Sequence, residues 1–247
     1  MRSKIYILVF FALFFYVQVD ARTRGGSTYR LGVGTGYTYY LGNQMDYEIT
    51  SGFGKFNENR VAQNIGFYKA LNNQWEMGGF VRNASMMTLK SENTQGIECI
   101  FQDAQFTVQH SFNDNIELSG SPITFNASLG LGLIYFQSRY FTVDPLSEKE
   151  LQNFSTIGYG FADGFGGQKH DPSRRFAITG HAGFNIGIRI TKNINIYQEN
   201  NFNLTTSNKL SGNLYKRSWI TTDGYWYSGI ALYIRWGNKT DACPRFY

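Results

Sequence analysis

Apolar residues alternate with small or polar ones along most of this chain with a period of two, the pattern of strands with two unlike faces. The clearest run is Ile123 to Gln137. Phe125, Ala127, Leu129, Leu131, Leu133 and Tyr135 share one face, and Thr124, Asn126, Ser128, Gly130, Gly132 and Ile134 share the other. Ala177 to Thr191 repeats the pattern, with Ile178, Ala182, Phe184, Ile186, Ile188 and Ile190 opposite Thr179, His181, Gly183, Asn185, Gly187 and Arg189. Arg30–Leu41 and Tyr225–Trp236 alternate likewise, the latter gathering Trp226, Ile230, Leu232, Ile234 and Trp236 on its apolar face. Weaker alternation over Arg60–Lys69, Trp75–Thr88, Glu98–His110 and Ile194–Thr206 brings the total to about eight strands, the smallest common membrane barrel.

The connections alternate in length. Ala70–Gln74, Ser111–Pro122 and Lys192-Asn193 are the shorter links, and Gly42–Asn59, Thr142–Phe176 and Ser207–Gly224 are long, with Ser91–Gly96 between. Short periplasmic turns and longer extracellular loops fit this asymmetry; Ser111–Pro122 is long for its side. Keeping odd residues inward on both strands around Lys192-Asn193 requires a turn of odd length or a bulge. Within the longest link, Ser147 and Glu150 fit a capping box, which predicts a short helix near Leu146–Phe154.

The N-terminus changes the picture from fold to compartment. Basic Arg2 and Lys4, an apolar run from Ile5 to Val19 and small Ala21 compose a secretory leader, with cleavage expected after Ala21. Residues 1–21 are then a cleavable signal peptide and 22–247 a barrel domain with a short C-terminal tail. The run of roughly 15 apolar residues is short for a spanning helix, and no later segment is long enough. A membrane-inserted form must therefore be a closed barrel, since only helices and closed barrels satisfy every backbone group in lipid.

Charged residues make up 17% of the chain and aromatic residues another 17%, with 27 glycines. That is little charge for a water-soluble surface. The net charge of +5 becomes +4 once Arg2, Lys4 and Asp20 leave with the leader, and the basic residues are scattered, so no nucleic-acid partner is expected. Cys99 and Cys243 make no disulfide framework. The barrel height of ~25 Å predicts that they do not bond to each other. No cofactor or metal is expected.

The composition of the less apolar face decides which side meets lipid. A soluble lipocalin-like ligand binder keeps its apolar face inside and needs a charged exterior. Here that face is mostly Gly, Asn, Ser, Thr and Tyr, suited to a crowded interior, so the apolar face is turned outward. Arg30, Glu76, Arg82, Asp103, His181, Arg189, Glu199 and Arg235 then face inward as an interior polar network. They are expected to pair with one another or with trapped water, because isolated charges there are costly. Eight strands enclose a space that side chains fill, which predicts a plug in place of a pore.

On these features the chain from Tyr29 to Trp236 resembles the small outer-membrane β-barrel superfamily that includes the transmembrane domain of OmpA. Its last strand, Tyr227-Ser228-Gly229-Ile230-Ala231-Leu232-Tyr233-Ile234-Arg235-Trp236, is similar to the signal read by barrel-insertion machinery, although the chain continues past it. The resemblance implies an all-β, closed antiparallel transmembrane barrel in the outer membrane of a Gram-negative bacterium. It also implies a lone barrel in the lipid bilayer, with the insertion machinery as partner and a structural or surface-interaction role. Residues 142–176 are the expected place for an extracellular ligand or partner protein. Gly158-Tyr159-Gly160-Phe161 and Gly164-Phe165-Gly166-Gly167 in this link suit a lid on the barrel mouth or such a contact.

Two other roles keep the same fold: an enzyme acting on lipid A or phospholipid, and an accessory barrel of an export machine. Deacylase-like barrels carry His-x-Ser on one strand, so that both side chains share a face. Here His110-Ser111 is adjacent and alternates between faces, and His181-Ala182-Gly183 lacks the serine. A non-enzyme is therefore expected, with His181 an interior hydrogen-bonding group and His170 a loop residue.

Overall fold

A computed structural model describes residues 28–41, 60–72, 74–89, 95–112, 123–143, 150–158, 169–171, 175–191, 193–212 and 223–237. The expected leader and Cys243 lie outside them, as do most of the long links.

The described residues form ten strands in chain order: β1 (Tyr29–Leu41), β2 (Arg60–Ala70), β3 (Trp75–Leu89), β4 (Gln95–Ser111), β5 (Ile123–Val143), β6 (Glu150–Ile157), β7 (Lys169–Asp171), β8 (Arg175–Arg189), β9 (Ile194–Thr205) and β10 (Gly224–Trp236). Eight of them close a barrel. β1 pairs with β2, β2 with β3, β3 with β4, β4 with β5, β5 with β8, β8 with β9, β9 with β10 and β10 with β1, all antiparallel.

Cross-strand partners traced around the wall run Tyr29, Lys69, Met77, Val108, Leu129, Ala182, Phe202, Trp226 and back to β1 at Tyr39, ten residues further along. A ten-residue advance over eight strands spaced ~4.8 Å tilts the strands by about 40°, within the range of membrane barrels.

The strands form where the period-two pattern puts them, because one register buries most of the small and polar residues and turns most of the large apolar ones out. Leu129, Leu131 and Leu133 are 67%, 69% and 56% exposed, while Thr124, Asn126 and Ser128 between the same walls are buried. Such an apolar exterior belongs in lipid. Aromatic clusters rim it at both ends: Tyr29, Phe67 and Trp236 near the short turns, and Tyr39, Trp226 and Phe202 near the long loops. A closed, even-stranded antiparallel barrel with an apolar belt between aromatic girdles is the architecture of bacterial outer membranes, and that is where this chain resides.

The β8–β9 turn keeps the expected parity. Its last pair, Arg189 with Asn195, encloses five residues, and no bulge is needed. Thr191 Oγ1 accepts from Asn193 N at 3.2 Å and Ile194 N at 3.1 Å, shaping the reversal. In the β2–β3 turn, Asn72 Oδ1 accepts from the amides of Gln74 and Trp75, each at 2.8 Å.

The helix expected near Leu146–Phe154 is not what forms. Glu150–Ile157 is strand β6, antiparallel to the part of β5 that continues past β8, with Ser138 opposite Ile157; β7 adds in parallel to β6. The capping box is a local preference. It loses to the ladder offered by the β5 edge, for which Phe154, Thr156 and Ile157 are well suited. The described part of the long link is thus a sheet extension at the loop end.

Candidate functional site

The functional question turns on what fills the barrel, and the filling has two chemically distinct levels. Near the turn end, Arg30 on β1 and Arg235 on β10 are direct cross-strand partners, an arrangement that like charges disfavour. Glu76 on β3 resolves it by standing between them. Arg30 Nη2 lies 2.8 Å from Glu76 Oε2, and Arg235 Nη2 lies 3.2 Å from Oε1. The Arg30 guanidinium also donates to Gln109 Oε1 at 3.1 Å and sits 4.7, 4.8 and 4.4 Å from the ring centroids of Tyr68, Tyr197 and Tyr233. Three aromatic faces around one desolvated cation are a strong anchor. Beside them Glu199 accepts from Asn64 Nδ2 at 2.8 Å and from the Tyr233 hydroxyl at 2.5 Å.

A second network crosses the middle of the barrel. Arg82 and Asp103 are direct partners on β3 and β4, both fully buried, with Nη1 and Oδ2 3.6 Å apart. The Arg82 guanidinium lies 3.9 Å from the Tyr227 ring centroid and 4.6 Å from that of Phe80. With the Asn201 amide turned so that its oxygen faces Arg82, Nη2 donates to it at 3.1 Å. Asp103 Oδ2 accepts from Gln105 Nε2 at 2.7 Å and from the Tyr225 hydroxyl. Gln105 Oε1 can only accept, so the 2.5 Å contact with His181 fixes the histidine proton on Nδ1. Gly130 makes room for this ring, since a Cβ there would lie 2.2 Å from His181 Cε1.

Above this level the filling becomes apolar. Met86, Ile97, Cys99, Phe101, Phe136 and Tyr140 are buried together, and Leu210 joins them from outside the wall. Leu210 belongs to the stretch after β9, expected from the sequence as part of an outward loop. Residues 206–212 instead turn into the mouth. Ser138 Oγ donates to the Lys209 carbonyl at 3.0 Å, and Ser211 N donates to Asp223 Oδ2 at 3.2 Å. The Tyr40 hydroxyl donates to Asp223 Oδ1 at 2.7 Å. Gly212 has a φ of 69° and packs against the Arg139 backbone, where a Cβ would meet Arg139 C at 2.7 Å. A glycine is required there on both counts.

Of the expected interior residues, Arg30, Glu76 and Arg235 meet in one cluster, Arg82, Asp103 and His181 in another, and Glu199 joins the tyrosines between them. Arg189 stands at the end of β8. It lies at the turn-end rim, half-buried, with Nε donating to the Thr191 carbonyl at 3.2 Å; its position on the last pair of β8 puts it past the packed levels. The polar filling does not run the whole height of the barrel, since the loop-end level is mainly apolar. Tyr40, Gln105, Leu210, Asp223 and Tyr225 were missed. Strand parity alone would have found Gln105 and Tyr225, and nothing local marks Leu210.

The other candidates separate. His110 stacks edge-on to Trp75 and Phe112, with centroids 4.5 and 5.2 Å apart, among the outward aromatic residues of the turn end. Ser111 Oγ donates to Asn126 Oδ1 at 2.6 Å. The adjacent pair therefore points two ways. The Cys99 thiol is free and buried. Among the described residues no group of three or more His, Cys, Asp or Glu side chains converges on a metal position. His170 lies on β7, and the Gly-aromatic stretch 159–168 falls outside the described residues.

No family model matches the sequence, and no curated protein matches it. Among solved structures the chain is similar to Ail, the attachment invasion locus protein of Yersinia pestis, in complex with the heparin analogue sucrose octasulfate. That match has 10% identity, 86% of this chain and 100% of that one covered, and a TM-score of 0.42. It is similar to Neisserial surface protein A, with 7% identity, 85% and 96% coverage and a TM-score of 0.45. It is also similar to the outer membrane enzyme PagL, with 10% identity, 83% and 98% coverage and a TM-score of 0.32. Likeness at this level carries no inference to activity, and one barrel hosts many functions. The fold assignment stands on the strand pairing.

Proposed function

We propose that this chain is a non-conducting, non-catalytic barrel that anchors an ordered surface structure at the outer face of the membrane. The observation that carries the reading is the filling of the interior: two charged networks across the lower and middle levels, and an apolar level closed by residues 206–212. The sheet extension of β5, β6 and β7 supports the surface role, because it carries backbone pairing beyond the part of β5 that pairs with β8 and so gives the loop end a structured platform. A partner protein or extracellular ligand at residues 142–176 fits that platform. Insertion through the last strand accords with the outward spacing of Ile230, Leu232, Ile234 and Trp236.

Reconstitution of the mature chain in planar bilayers tests the reading. The expected record shows no stepwise conductance, and resolved steps above the bilayer baseline would overturn it. Protease treatment of intact cells tests the orientation: cleavage is expected within 144–174, and cleavage confined to 113–122 reverses the topology.

A further inference from the structure

The lipid-facing surface is not uniformly apolar. A single cross-strand row runs from Gln198 on β9 through Ile230 on β10, Thr35 on β1, Gln63 on β2 and Asn83 on β3 to Gln102 on β4. Every member is exposed. Thr35 Oγ1 donates to the Ala62 carbonyl at 3.1 Å. The four amide side chains have no hydrogen-bond partner among the described residues.

Gln63 stands between Val61 and Ile65, which are 59% and 58% exposed, and Asn83 follows exposed Val81 on its strand. Both amides therefore lie inside the apolar belt, where an unsatisfied carboxamide is disfavoured because lipid offers neither donor nor acceptor. The strand tilt makes the row climb toward the loop end by about 3 Å per strand. Gln102 is thereby lifted toward the headgroups. Gln198 is three strands away from Gln63 and remains an isolated amide. The adjacent pair Gln63 and Asn83 is left as the built feature.

We propose that two copies of this chain associate in the membrane through the β2–β3 wall, with Gln63 of each copy hydrogen-bonded to Asn83 of the other. A carboxamide carries a donor and an acceptor, so it complements its own kind. In a membrane the two-fold axis lies along the bilayer normal and pairs points at equal height. An axis passing between β2 and β3 brings Gln63 opposite the second copy's Asn83 with an offset of only about 3 Å. The reverse pair forms at the same time, the reciprocity of an isologous contact. An axis displaced by a strand leaves one of the two amides unmatched. Gly79, Ser85 and Ala104 on the same side admit a close approach, as small residues do at membrane interfaces. The β5–β8 side also has small residues, Ala127, Gly180 and Ala182, among Leu129, Leu131, Leu133 and Phe184, but residues 123–135 and 176–190 place no amide on that outer face. This replaces the lone barrel expected from the sequence with a pair.

The test uses the full chain in native outer membranes, in a Cys99→Ser, Cys243→Ser background. Gln63→Cys and Asn83→Cys copies expressed together are oxidised with copper phenanthroline. The expected product is a cross-linked dimer at least about tenfold more abundant than from Leu131→Cys on the opposite side. Equal yields at Leu131, no cross-link, or an adduct with the mass of a different protein would each overturn the proposal. Independently, Gln63→Leu with Asn83→Leu should lower the dimer fraction in lipid nanodiscs by roughly tenfold or more. An unchanged dimer fraction in a barrel that still shifts on boiling counts against it, and the cross-link decides alone if that variant does not fold.

Discussion

The two ends of the barrel interior are filled by opposite means. Toward the turn end and the middle, strands supply charge, and the arginines find their counterparts on the wall: Arg30 and Arg235 about Glu76, and Arg82 against Asp103. At the loop end the wall supplies Met86, Ile97, Phe101 and Phe136, and a piece of connecting chain brings Leu210 to close the layer. A strand interior of fixed parity can be packed either way. Polar packing fixes positions through directional bonds, so the wall can complete it alone. Apolar packing is non-directional and needs volume, which here comes from outside the wall. The lower levels should therefore respond to loss of one partner, and the upper level to loss of bulk.

The largest effect is expected at Asp103. Asp103→Ala leaves the fully buried Arg82 without its counter-ion, which costs about 3–5 kcal/mol. Replacing the pair together, Arg82→Met with Asp103→Leu, should recover most of that loss, because removal of both charges also removes their desolvation. Urea unfolding in lipid vesicles, followed by tryptophan fluorescence, measures both. If the double variant is as unstable as the single one, the network acts through Tyr225 and Gln105 more than through the ion pair.

Next in size is Glu76→Gln, which keeps the shape but leaves Arg30 and Arg235 as facing cations. About 2–3 kcal/mol should be lost, less than at Asp103 because the three tyrosine rings and Gln109 still hold Arg30. The same unfolding measurement ranks the two. A larger loss at Glu76 than at Asp103 would break the assignment of the middle level as the more dependent one.

These contrasts also explain how far the sequence could be read. All eight barrel strands follow from alternation, since register in a two-faced wall is set by which residues tolerate lipid. The interior charges follow from parity. Their pairing does not, because Arg82 meets Asp103 only through the register of β3 with β4. The Ser207–Gly212 stretch reads as a polar loop, with Leu210 its single apolar residue, and its inward turn depends on Asp223 and on Ser138, which is 71 residues from the Lys209 carbonyl it binds. The strand at Glu150–Ile157 was hidden by a capping signal that needs no tertiary partner, whereas β6 exists only because β5 outruns β8. The Gln63–Asn83 row is invisible until strands are aligned side by side.

The apolar level supplies the third contrast. Leu210→Ala removes bulk from a closed layer and should cost about 2 kcal/mol, the low end for such truncations, because a connecting segment can shift to close part of the gap. Polar substitution tells more. Leu210→Asn has nearly the same size but sets a carboxamide among Met86, Ile97, Phe101 and Phe136, so residues 206–212 should leave the mouth. Hydrogen exchange at Gly212 N, bonded to the Lys209 carbonyl at 2.9 Å, reports this directly. Faster exchange at Gly212, with that of β3 and β4 unchanged, is the expected pattern. Uniform loss of protection would mean that the segment is integral to the barrel.

The smallest effect is expected at Arg189, and it matters because the residue shares parity with the interior network. Were every inward charge part of one cooperative plug, Arg189→Gln would cost as much as the change at Glu76. The structure puts it at the rim, half-buried, bound to the carbonyl of Thr191 in its own turn. A substitution at such a position alters stability by no more than ~0.5 kcal/mol, since water solvates the guanidinium in both states and screens its charge. A glutamine keeps a donor for the turn. The unfolding midpoint should then coincide with that of the parent within error at low and at high salt. A shift that vanishes on adding salt would reveal long-range coupling to the Glu76 cluster, and would move the lower boundary of the charged filling out to the end of β8.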